Sequence, residues 1–187
     1  HTANEWLFEG FYDEFLNYAI SLNNSMTGNI KYDHFAWFYK RNGSEEFEGQ
    51  FTINTGQDDL SQMGELKFWN GMNHTGFYAD ECGRLNGSTS DLYPPGRDLK
   101  DLLTIYVTDT CRIINLEPTG ETVTIEGITG YKYETKPDTY DNGQRNEHMK
   151  CYCADPEQPE TCAPTGATSL ETCADGAPMY MSHAHFM

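Results

Sequence analysis

The chain has 187 residues and a formal net charge of −17, from 29 Asp and Glu against 12 Lys and Arg. That length fits about one domain at roughly 100–200 residues each, and the charge repels phosphate backbones, which excludes nucleic acid as a partner. Only 37% of the residues are apolar, and no run reaches the roughly 18 apolar residues of a membrane span.

The opening stretch, Trp6, Leu7, Phe11, Phe15, Leu16, Ala19 and Ile20, has helical spacing interrupted by Gly10. From Tyr32 the pattern turns to β. Phe35 to Tyr39, the Asn42-Gly43 turn and the Phe47 to Ile53 run predict a hairpin. Leu66, Phe68 and Trp69 predict a further strand. A Gly- and Pro-rich loop then runs from Gly83 to Gly96, and strands follow at Leu103–Val107, Ile113-Ile114, Thr122–Ile125 and Gly130–Tyr133. Strands at such short spacing with few helical windows indicate a mostly β fold with short helices. From Lys136 to Gly176 the chain is rich in turn residues and poor in apolar ones, so crosslinks must supply what packing cannot. The chain reads as one unit with two parts: residues 1–81, a helix and hairpin without cysteine, and residues 82–187, rich in cysteine and strands.

The six cysteines are Cys82, Cys111, Cys151, Cys153, Cys162 and Cys173. An even number in an acidic chain favours disulfides and an oxidising compartment over zinc, because Cys151-Tyr152-Cys153 is a C-x-C and most structural zinc sites use C-x₂₋₄-C. Spacing alone does not choose the pairing. Four N-x-[ST] sequons, at Asn23, Asn42, Asn73 and Asn86, agree with a glycoprotein of the secretory pathway. The chain opens on His1 rather than Met and shows no signal-peptide pattern. It therefore reads as a portion of a longer precursor, with any membrane anchor outside it.

Chemistry is sparse. G-x-S-x-G and P-loop motifs are absent. Glu45-Glu46 and Asp58-Asp59 read as solvated turn residues. His183-Ala184-His185 could place two imidazoles on one strand face, but a zinc site needs a third ligand. The acidic stretch Asp98 to Asp109 lacks the calcium-loop pattern. No catalytic residue, metal ligand or cofactor site emerges, and the chain reads as a non-enzyme.

Several motifs together are similar to the central part of the ectodomain of class B scavenger receptors. They are Gly10-Phe11-Tyr12-Asp13-Glu14-Phe15-Leu16, Tyr39 to Ser44, Thr55-Gly56-Gln57-Asp58, Trp69-Asn70-Gly71 and Cys82 to Ser88. More specific still are Asp109-Thr110-Cys111-Arg112-Ile113 and Gly176 to Phe186. In order and spacing they cover nearly the whole chain. Glu9 and Glu14 stand where the family commonly has Trp and Pro, and Ser182-His183-Ala184-His185-Phe186 lacks the family's proline, which frees a backbone N–H.

The resemblance implies the pairs Cys82–Cys151, Cys111–Cys173 and Cys153–Cys162. It implies a place in an irregular antiparallel β-barrel with a lipid-sized tunnel, closed by segments outside this chain. The implied partners are lipids, fatty acids, lipoproteins or apoptotic-cell and microbial surfaces. The implied location is the extracellular side of the plasma membrane, which the full set of six cysteines favours over the lysosomal membrane. The implied role is to bind such ligands and convey hydrophobic cargo to the membrane. A chemosensory or lysosomal member delivering lipid ligands, a secreted metal-dependent hydrolase and a purely adhesive module are the alternatives. Because a −17 surface repels anionic ligands, this portion is expected to be scaffold, with the basic docking residues elsewhere. The ligand-contacting residues are not legible in the sequence.

Overall fold

A computed structural model describes residues 1–21, 34–153, 155–174 and 179–186. The aromatic N-terminal stretch is broken where the sequence places its glycine. A π-helical turn, Glu5–Glu9, ends at Gly10, whose φ of 79° is a left-handed conformation that glycine adopts without strain. Strand β1 (Phe11–Tyr12) and helix α1 (Glu14–Ser21) follow. β1 pairs antiparallel with β2 (His34–Phe35).

The hairpin expected across Asn42-Gly43 does not form. Residues after β2 run through successive tight turns, with Tyr39 N–H donating to Ala36 O, Arg41 N–H to Phe38 O and Ser44 N–H to Arg41 O. Lys40 takes a left-handed φ of 59°. Strand β3 (Phe51–Ile53) pairs instead with β4 (Leu66–Trp69), whose Leu66 is buried, and both Phe51 and Ile53 pack on that cluster. The competing pull comes from Arg41, which reaches across to Asp109 at 2.7 Å and also to Glu48. These contacts hold the turn against a segment 68 residues away, so local turn chemistry loses to tertiary partners.

After α2 (Asp80–Gly83), the Gly- and Pro-rich segment forms the expected loop, although Ser88 makes a parallel bridge with Ile105. β5 (Leu103–Val107), β6 (Arg112–Ile125) and β7 (Ile128–Thr135) form a three-stranded antiparallel sheet. Strands expected at Ile113-Ile114 and Thr122–Ile125 are the two halves of β6, joined across a register shift between Pro118 and Thr122. The proximal half of β6 is partly buried, with Arg112 and Ile114 fully so, and the distal half is exposed. Ile125 and Ile128 at the tip are 69% and 77% accessible. β8 (Ala167–Ser169) and β9 (Tyr180–Ser182) pair antiparallel within the cysteine-rich part.

The chain is thus mostly β with short helices. Its described strands form three two-stranded sheets and one three-stranded sheet, all open, with no closed barrel among the described residues. Its surface of 12839 Å² exceeds the roughly 9,000 Å² of a compact protein of this mass. Two small cores lie side by side. One holds Leu66, Leu85 and Tyr106; the other holds Tyr78, Tyr152 and the Cys82 and Cys111 ends of two disulfides. Trp69 joins them, 5.7 Å from the Tyr106 ring and 6.0 Å from Phe77.

Candidate functional site: a buried arginine clamped between disulfides

The cysteines form three bonds: Cys82–Cys151, Cys111–Cys173 and Cys153–Cys162. The first two span 69 and 62 residues and bring helix α2 and the β5–β6 turn onto the otherwise apolar-poor C-terminal segment. Closing loops of that length removes unfolded-state entropy equivalent to about 4 kcal/mol each in the chain-entropy model. The third closes a loop of 9 residues, for roughly 2–3 kcal/mol.

Between the two long-range bonds lies Arg112, 1% exposed, at the start of β6. The turn before it is tight: Thr110 N–H donates to Val107 O, and Cys111 sits at a left-handed φ of 51°. This geometry sends the guanidinium inward. Its carbon lies 3.6 Å from the Tyr152 ring centroid and 5.8 Å from that of Tyr140. Nη1 donates to the Thr168 hydroxyl at 2.6 Å, and Nη2 donates to Thr139 O and Asp141 O at 3.2 Å each. The cation is thus held by aromatic faces and neutral oxygens. Burial pulls its pKa below the usual arginine range, and the surrounding phenols oppose that pull. Burial raises the phenol pKa values of Tyr78, Tyr140 and Tyr152, with the Arg112 charge acting the other way.

The partner of Arg112 is a buried polar turn, Thr139 to Asn142, in which Asp141 is wholly inaccessible. Asp141 Oδ2 accepts the backbone N–H groups of Arg145 and Asn146 at 3.0 and 2.8 Å, and Oδ1 accepts the Thr165 hydroxyl at 3.1 Å. Burial acts to raise the carboxyl pKa; these hydrogen bonds outweigh it and hold the group below its ordinary value. Asn142 donates through Nδ2 to Ala163 O and Ala167 O. Crosslinks therefore share the ordering of this segment with a buried polar network, in which Arg112 Nε and Asn142 Oδ1 are left without a hydrogen-bond partner among the described residues. Tyr140-Asp141-Asn142 carries no chemical motif in the sequence. The available signal was a Tyr-Asp-Asn-Gly turn inside a segment too polar to pack by itself.

Asn42, Asn73 and Asn86 are exposed, and Asn23 lies outside the described residues. The motif stretches Trp69–Gly71, Cys82–Ser88 and Asp109–Ile113 converge on the two cores, whereas Gly176 to Pro178 lie outside the described residues. His183 and His185 do not share a strand face. Both follow β9; the His183 ring packs 4.8 Å from Tyr140, and His185 takes a left-handed φ of 58° in a 3₁₀ turn. Asp59 is not merely solvated: its side chain caps the Leu60–Gln62 turn by accepting from Ser61 N–H and hydroxyl, which lowers its pKa. Asp98 to Asp109 is not one acidic loop: strand β5, Leu103–Val107, runs through it between two turns. No group of three or more His, Cys, Asp or Glu side chains is placed to hold a metal among the described residues.

The described residues thus define a disulfide-stapled, β-rich class of fold organised around a buried Cys-Arg turn. Residues 1–187 match the family model described as CD36 family, and the chain belongs to that family. It is 35% identical over 185 residues to "Protein peste" of Drosophila melanogaster, covering 99% of this chain and 32% of that protein. It is 27% identical to "Lysosome membrane protein 2" of Mus musculus, over 100% of this chain and 36% of that protein. It is also 27% identical to "Scavenger receptor class B member 1" of Cricetulus griseus, over 99% of this chain and 34% of that protein. The chain thus spans about a third of the length of these relatives, and none of the three is named as an enzyme.

Proposed function

We propose that this chain is the β-rich scaffold of the extracellular part of a cell-surface scavenger receptor that binds lipids, lipoproteins or apoptotic-cell and microbial surfaces and conveys hydrophobic cargo to the membrane. The family match across residues 1–187 carries this reading. The three disulfides fit an oxidising compartment, and Asn23, Asn42, Asn73 and Asn86 are its glycosylation sites. The exposed distal arm of β6 and β7, with Val123, Ile125, Ile128 and Tyr131, suits completion of an irregular antiparallel barrel by the rest of the parent protein. The protein is tethered to the membrane through segments outside this chain. With a net charge of −17, this portion supports the site rather than docking anionic ligands.

The test measures binding of oxidised phospholipid vesicles, at two salt concentrations, to this portion and to the whole ectodomain, with lipid extraction of the purified ectodomain. Salt-sensitive binding and copurified lipid only in the whole ectodomain are the expected results. Strong binding by this portion alone overturns the scaffold assignment, and an ectodomain free of lipid that takes none up overturns the cargo role. Surface biotinylation checks the location: a protein confined to lysosomes is the outcome that favours the lysosomal alternative.

A further inference from the structure

A cavity of about 210 Å³ opens between the Gly64 turn, the Asn86–Ser88 segment, the 92–97 loop and the start of β5. Asn86 lines it with an exposed side chain. Its Oδ1 accepts Gly87 N–H at 2.8 Å, Gly87 O accepts Leu66 N–H at 2.7 Å, and Ser88 N–H donates to Thr104 O at 2.9 Å. Gly87 has φ 80°, and a Cβ there would come within 2.2 Å of Thr104 O, so only glycine permits this approach. Among the described residues, Asn86 Nδ2 makes no hydrogen bond.

Tyr93, Arg97 and Glu65 also line the cavity. Arg97 donates through Nη2 to Leu102 O at 2.8 Å and lies 6.0 Å from the Tyr93 ring, while its Nε is buried without a partner. No carboxylate pairs with Arg97 among the described residues. Glu65 is held by Lys67 at 2.8 Å. An anion would meet Glu65 in the same space. A lipid would need a drier cavity, closer to the roughly 300–1,000 Å³ of drug-sized sites. A neutral amino sugar suits the set: an acetamido carbonyl for Arg97, hydroxyls for Glu65 and an apolar C–H face for Tyr93.

We propose that this cavity seats the first N-acetylglucosamine of a glycan linked to Asn86. The proposal rests on the secretory-pathway reading above. The transferring enzyme joins sugar C1 to Asn86 Nδ2, with the amide proton lost and the donor's lipid diphosphate leaving; this chain only receives and packs the product. The folded sequon is closed to that enzyme, because the Ser88 side chain is buried and its hydroxyl donates to Leu92 O at 2.7 Å. The sugar is therefore attached before the 88–92 turn forms, and the 92–97 loop closes against it.

The experiment uses the full-length protein from a eukaryotic secretory host, trimmed enzymatically to one N-acetylglucosamine per site. Glycopeptide mass spectrometry reads Asn86 occupancy, and thermal melts compare Asn86→Gln, Arg97→Gln and the double variant. Each single change should lower Tm by about 2–4 °C, and the double should fall no further than the singles, the signature of coupled residues. Amide exchange over residues 92–97 should be slower with the single sugar than after complete removal. An additive cycle with equal exchange overturns the seat and leaves the secretory reading intact. An unoccupied Asn86 overturns the seat and counts against that reading at this site as well.

Discussion

Replacing Arg112 tests whether the clamp, rather than the disulfides alone, orders the cysteine-rich part. Arg112→Met removes three hydrogen bonds from a charged donor, each about 1.5–3 kcal/mol. It also removes a buried cation–π contact with Tyr152, about 2 kcal/mol when desolvated. Against this, taking the guanidinium out of water costs several kcal/mol, which the variant recovers. The acceptors decide the sign. Thr139 O, Asp141 O and the Thr168 hydroxyl are left in a dry interior, where an unpaired acceptor costs about 1–3 kcal/mol, so the three together cost at least roughly 3–5 kcal/mol. For a chain of this size that corresponds to a Tm lower by roughly 6–20 °C. Arg112→Lys keeps the charge but loses the planar stack and the fork that reaches three acceptors, and should lose at least one charged hydrogen bond, about 1.5–3 kcal/mol. Thermal melts at neutral pH, with non-reducing peptide mapping to confirm intact disulfides, read both variants. A Lys variant melting within 1–2 °C of the parent, about the resolution of a Tm shift on this scale, would show that charge alone suffices. A Met variant more stable than the parent would show that the clamp is a net cost.

Three further outcomes follow from the same geometry. Asp141 has its folded pKa held below the ordinary 3.8, so its carboxylate stabilises the fold above the unfolded value and that stabilisation is lost as pH falls through the depressed one. The Asp141→Ala variant should therefore melt well below the parent at organelle pH of about 5–6, and the gap should narrow only in stronger acid; a gap that closes by pH 5 would contradict the sign. Removing the Cys111–Cys173 pair as Ser should destabilise by about 4 kcal/mol and removing Cys153–Cys162 by roughly 2–3 kcal/mol, measured by denaturant melts; equal losses would refute the loop-length account. Glycopeptide mapping should find sugars on Asn42 and Asn73, both exposed, and bare asparagine at both would remove that support for the secretory reading.

Local chemistry was enough to place some elements. Gly10 ends the first turn, and the alternating runs at Leu103–Val107 and Gly130–Tyr133 form strands because their neighbours in sequence are also their partners in space. The cysteine and motif pattern also carried the family, which the match over residues 1–187 shows. Where partners are distant, tertiary contacts decided. The Asn42-Gly43 turn carries every local sign of a hairpin, yet Arg41 is drawn to Asp109 and β3 finds its mate in β4. The buried Thr139 to Asn142 turn looks like loop in sequence, because polar residues signal exposure until Arg112 and the Ala163 and Ala167 carbonyls are folded onto it. Composition and spacing report what a residue prefers. Which preference prevails is set by dry hydrogen bonds and covalent crosslinks, at about 1–4 kcal/mol each against the fractions of a kcal/mol that local propensity supplies. An exposed pair such as Arg41–Asp109 adds at most about 1 kcal/mol to them.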